Sequence, residues 1–138
     1  MAKNKNRKNL IRKVVSIVLL CSSQILLFWI CYDSCYFFWN KYIHPVRRDM
    51  NWGILIQFLF YIFIILSLLS SIIHVLNWKN KLLLTSFLSF LYSYLYWGNF
   101  SHAPYRSALV LFTLTFSLFV PSLIYSRFFK QDNLEKHQ

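Results

Sequence analysis

A chain of 138 residues with 57% hydrophobic, 20% aromatic and only 14% charged residues lies outside the composition of a water-soluble domain. Its net charge of +11 comes from 15 basic residues against 4 acidic ones. Basic residues that flank apolar runs set orientation in a membrane, so no nucleic-acid partner is expected.

Residues 14–32, 50–78, 82–105 and 107–126 contain no Asp, Glu, Lys or Arg. Each window is close to or above the ~20 apolar residues that cross a hydrocarbon layer about 30 Å thick. The expected fold is all-α: four transmembrane helices in an antiparallel bundle, with membrane lipid as their solvent and one domain over residues 1–138.

The basic N-terminal segment 1–13, MAKNKNRKNLIRK, leads into a first span predicted over 14–39. A cleaved lipoprotein leader is not expected: Leu20 precedes Cys21 where a small residue is needed, and the apolar run continues beyond it. Val14, Ile17, Cys21, Gln24, Phe28, Cys31 and Cys35 follow the alternating three-and-four spacing of a helix seam. Gln24 at mid-span is costly against lipid and acceptable against another helix, so this face is expected to point inward.

The second span, 52–77, carries Ser67, Ser70, Ser71 and His74 at offsets of zero, three, four and seven, one helical face. The connection 78–81 is short enough to force a tight antiparallel hairpin into a third span over 82–97, which has its own row of Thr85, Ser89, Tyr92 and Tyr96. The fourth span, 107–128, contains Pro121, whose missing N–H is expected to free the Ser117 carbonyl for a neighbour. A polar C-terminal tail covers 129–138. With four spans, segments 1–13, 79–81 and 127–136 share one side and hold eleven of the fifteen basic residues. Both termini are therefore expected in the cytoplasm.

Cys21, Gln24, Cys31, Cys35, Ser67, Ser70, Ser71 and His74 are the candidate contacts to a partner or a neighbouring helix. At the outer face, Arg47, Arg48, His102 and Arg106 are candidates for an anion or the acidic surface of a partner, because guanidinium forks match such groups. Asp33, on the far side of the first span from the cysteines, is expected to pair with Arg106 or Arg47 or to reach headgroup water. A metal would need His44 and His102, on separate loops, to converge on Cys31 and Cys35 of the first span among many cations, and none is expected. Cys31 and Cys35 are four apart on a helix, farther than the ~4 Å between Cβ atoms that a disulfide prefers.

No nucleophile with its base, paired carboxylates or phosphate loop is present, so neither enzymatic activity nor a cofactor is expected. Being small, basic, four-spanning and poor in glycine, with only Gly53 and Gly98, the chain resembles in general character the immunity proteins that guard a bacterial inner membrane against pore-forming toxins. That resemblance implies a non-enzymatic protein of the bacterial cytoplasmic membrane that binds a membrane protein partner, as an immunity-type factor or an accessory subunit. The alternative expectation is an oligomeric channel or small transporter lined by Ser67, Ser70, Ser71 and His74.

Overall fold

The computed structural model describes residues 2–42, 50–77, 79–97 and 104–134. Four helices follow one another: α1 (Ala2–Tyr42), α2 (Met50–Val75), α3 (Lys81–Tyr96) and α4 (Pro104–Leu134). No strand occurs among the described residues. Three of these helices contain stretches long and apolar enough to cross a membrane: Asn9–Tyr42, Ile56–Val75 and Ser107–Phe128. The protein is thus a helical, membrane-embedded one.

α1 runs for 41 residues because nothing between Ala2 and Tyr42 stops it: the segment has neither glycine nor proline, and its basic start is rich in Lys and Arg, both good helix formers. The N-terminal segment 1–13 is therefore largely continuous helix. α4 opens on Pro104, whose fixed φ and missing N–H suit a first helical position, and continues through Pro121 to Leu134, so part of the predicted polar tail is also helix. α3, at 16 residues, rises only about 24 Å at 1.5 Å per residue.

The turn between α2 and α3 is built around Asn77, which adopts φ 54°, the left-handed conformation that asparagine tolerates after a helix end. Its N–H donates to the His74 carbonyl (3.2 Å), its side-chain Oδ1 accepts from Lys81 Nζ (3.0 Å), and Leu84 N–H donates to the Asn80 carbonyl (2.9 Å) as α3 begins.

α1 packs on α2 and α4, α3 packs on α2 and α4, and α2 also touches α4, so α2 and α4 form the shared centre. Direction follows from the paired contacts. From Gln24 to Phe28, α1 meets first Ser67 and then Phe63 on α2, a descending order that makes the two helices run opposite ways.

The packed interior is aromatic and aliphatic: Phe28, Leu59, Phe63, Tyr92, Val110, Leu114 and Leu118 form one cluster, with the Phe28 and Phe63 rings stacked at 4.5 Å. The outside is just as apolar, for Leu19, Leu83, Phe90 and Phe112 stand exposed at 61–70%. In water that surface would be an aggregation liability; in lipid it is the expected exterior. The hydrophobic effect then does not hold the helices together, and close packing and hydrogen bonds must.

The buried ridge of α1 is Leu20, Gln24, Phe28 and Tyr32, a row of residues four apart. It is turned from the predicted seam: Cys21, Cys31 and Cys35 are half-buried on its flank, and Val14 is exposed. Ridges of this i, i+4 kind seat large side chains into the grooves of a neighbouring helix, which favours Leu20, Phe28 and Tyr32 over the smaller thiols.

Candidate functional site

The polar face of α2 turns into the junction of α1, α2 and α4. Gln24 is fully buried there. Its Nε2 donates to the Leu118 carbonyl (3.2 Å) and to Ser122 Oγ (2.9 Å), both on α4. Its Oε1 accepts from Ser67 Oγ (2.6 Å) and Ser71 Oγ (3.3 Å) on α2. All four hydrogen-bonding positions of the amide are thus met inside the chain. The Leu118 carbonyl also fixes which way the amide points, because only the nitrogen side can face an acceptor.

The hydroxyls around it have ordered roles. Ser122 Oγ donates to its own helix at the Leu118 carbonyl (2.7 Å), so in the 3.4 Å contact with Ser70 Oγ the proton comes from Ser70. Ser67 has one proton, and its short bond to Gln24 takes it; the Cys21 sulfur 3.3 Å away is then left to donate weakly to Ser67 Oγ. One turn along, the buried His74 places Nδ1 2.9 Å from the Ser70 carbonyl. A carbonyl only accepts, so Nδ1 bears the proton and Nε2, buried without a partner among the described residues, presents its lone pair.

Other interior hydroxyls serve their own helices. Thr85 Oγ1 donates to the Lys81 carbonyl (2.8 Å), Thr113 Oγ1 to the Leu109 carbonyl (3.0 Å) and Ser117 Oγ to the Thr113 carbonyl (2.6 Å). Such bonds hide the hydroxyl and let neighbouring backbones come close. Ser89 Oγ, Tyr92 Oη and Ser107 Oγ are buried with no partner among the described residues.

The structure therefore gathers Gln24, Ser67, Ser70, Ser71 and His74 in one region, with Cys21 at its edge. Cys31 and Cys35 lie two and three turns farther along α1; all three thiols are free. Asp33 is exposed on α1, beside Tyr36, Phe37 and Asn40. Arg47, Arg48 and His102, and with them His44, lie outside the described residues, and Arg106 is placed only as part of the first turn of α4. Among the described residues, no three His, Cys, Asp or Glu side chains group as metal ligands.

Sequence reasoning missed the α4 half of the junction. It pointed to the Ser117 carbonyl, whereas Gln24 reaches the next one, Leu118, together with Ser122. The signal available was the presence of Ser122 one residue after Pro121 in a mostly apolar span, one helical turn beyond Leu118. No protein family, curated protein or solved structure matches this chain.

Proposed function

We propose that this chain is a non-enzymatic membrane bundle that binds another protein in or at the bilayer, as an immunity-type factor or an accessory subunit in a bacterial cytoplasmic membrane. The observation that carries the reading is the complete internal satisfaction of Gln24, whose amide joins α1 to α2 and α4 and leaves none of its own polar groups facing a path. Beyond it the interior is closed by Phe28, Phe63, Leu114 and Leu118, which is unfavourable for a hydrated path.

The bundle is a four-span, antiparallel one with both termini cytoplasmic. Supporting this, Gln24 and Cys35 of α1 lie beside Ser122 and Ala108 of α4 in descending order, so α4 runs opposite to α1 and parallel to α2. Two parallel helices in sequence need a return between them, and α3 supplies it despite its short length.

A closed bundle recognises through its exterior. Among the described residues, the exposed Asp33 carboxylate on α1 is one polar group available there, and the arginines expected at the outer face, Arg47, Arg48 and Arg106, are proposed to act with it. The test has two arms. Purified protein in liposomes is expected to pass neither ions nor protons, and a photocrosslinker at position 37, beside Asp33, is expected to trap one discrete protein partner, with less adduct in Asp33→Ala. Flux that disappears with His74→Ala would instead establish the channel reading, and a chain crosslinked only to lipid would remove the partner.

A further inference from the structure

Between α1 and α4 an apolar groove of about 660 Å³ opens toward the lipid, lined by Leu19, Ser23 and Leu26 on one side and Pro121, Ile124 and Phe128 on the other. Its walls offer almost nothing polar, because Ser23 Oγ turns back to the Leu20 carbonyl at 2.7 Å. Leu19 to Leu26, like Pro121 to Phe128, spans about 10 Å along a helix. The groove thus runs along the helix axes.

Its charge is uneven along that length. Arg12, Ser16, Leu19, Ser23 and Leu26 recur at spacings of four and three, so Arg12 continues the stripe of α1 that forms one wall. On α4, the exposed Arg127 adjoins Phe128 at the same end. In sequence, residues 2–13 of α1 hold Lys3, Lys5, Arg7, Lys8, Arg12 and Lys13, and the last turns of α4 hold Arg127 and Lys130 against one acidic residue, Asp132. A second groove of about 600 Å³ lies between the same helices at their other end, lined by Cys35, Phe38, Leu109 and Phe112 among others. It is similar in size and apolarity, but the basic residue that follows it along α1 is Lys41 alone, whose ammonium lies 5.8 Å over the Phe37 ring and 5.4 Å over Tyr42.

We propose that the first groove is a binding site for an anionic phospholipid: an acyl chain lies along the wall of Leu19, Leu26 and Ile124 past Pro121, and Arg12 and Arg127 hold the phosphate at the mouth. An apolar slot that ends in a basic cluster matches the two halves of such a lipid, and guanidinium groups match its phosphate. The site depends on the chain lying in a bilayer and is independent of the protein-partner reading.

Native mass spectrometry of protein released from micelles containing equal amounts of phosphatidylglycerol and phosphatidylcholine with identical acyl chains tests it. One phosphatidylglycerol is expected to be retained preferentially. Arg12→Gln with Arg127→Gln is expected to lower that preference by about fivefold per residue. Lys41→Gln, at the second groove, is expected to leave it unchanged, and Ser23→Phe, which fills the slot, to reduce retention of both lipids. Equal retention of the two lipids by the native chain overturns the proposal, as does a preference that survives the double arginine change or disappears with Lys41→Gln.

Discussion

Replacing Gln24 by leucine keeps nearly the same volume and removes four interhelical hydrogen bonds at once. Hydrogen bonds between membrane helices average about 0.6 kcal/mol and reach about 1.7. Four average bonds give roughly 2.4 kcal/mol, as an upper figure, because two of the four are long at 3.2 and 3.3 Å. The hydroxyls left behind have second choices: Ser67 can turn to the Cys21 carbonyl at 3.4 Å, and Ser122 already donates to Leu118. The expected loss is therefore about 2 kcal/mol, a fall in melting midpoint of roughly 4–8 °C for a domain of this size. Gln24→Glu sharpens the test, since it puts a carboxyl oxygen against the Leu118 carbonyl, and an acceptor there repels unless the acid is protonated. Near neutral pH the order of stability is expected to be wild type, then Gln24→Leu, then Gln24→Glu. Thermal unfolding in mild detergent followed by size-exclusion chromatography measures it. A Gln24→Leu protein as stable as wild type, or a Gln24→Glu protein more stable than Gln24→Leu, would refute the assignment of the amide as the link between α1, α2 and α4.

The same physics gives smaller effects elsewhere. Ser67→Ala removes the shortest bond to Gln24 (2.6 Å) and should cost about 1 kcal/mol, while Ser86→Ala, whose hydroxyl donates to its own helix at Leu82 on the exposed side, should be neutral in the same melt. A double-mutant cycle of Gln24→Leu and Ser67→Ala should show coupling of roughly 0.5 kcal/mol or more; additive losses would mean the contact carries no energy. At the α2–α3 turn, Asn77→Val forces a β-branched residue to φ 54° and should destabilise by about 1–2 kcal/mol, whereas Asn77→Gly should be nearly silent; equal behaviour of the two would remove the left-handed turn from the account.

Hydropathy marks apolar stretches and does not mark where the helices that contain them end. α2 begins at Met50 and ends at Val75 where 52–77 was expected, and α3 spans Lys81–Tyr96 where 82–97 was expected. α1 and α4 run well past their windows, because the loss of apolarity marks the edge of lipid, while a helix stops only where the backbone has reason to. Good helix formers such as Lys8 and Arg12 continue α1 beyond the apolar run. The face of Ser67, Ser70, Ser71 and His74 was legible because 3.6-residue periodicity fixes which residues of one helix point together. How helices rotate against each other was not: that depends on which large side chains interlock. So α1 buries Leu20 and Tyr32 where a seam through Val14 and the cysteines was expected, and Ser122 emerged as a partner of Gln24 only in three dimensions.

The central proposal is a membrane bundle whose short third helix returns the chain, leaving both ends on one side. Cysteine-reporter labelling in intact cells measures this directly: single cysteines placed at positions 2, 46, 101 and 136 of a cysteine-free chain are exposed to a membrane-impermeant maleimide. Labelling at 46 and 101 with protection of 2 and 136 until the membrane is permeabilised is the predicted result. Labelling of 2 and 136 in opposite compartments would contradict it.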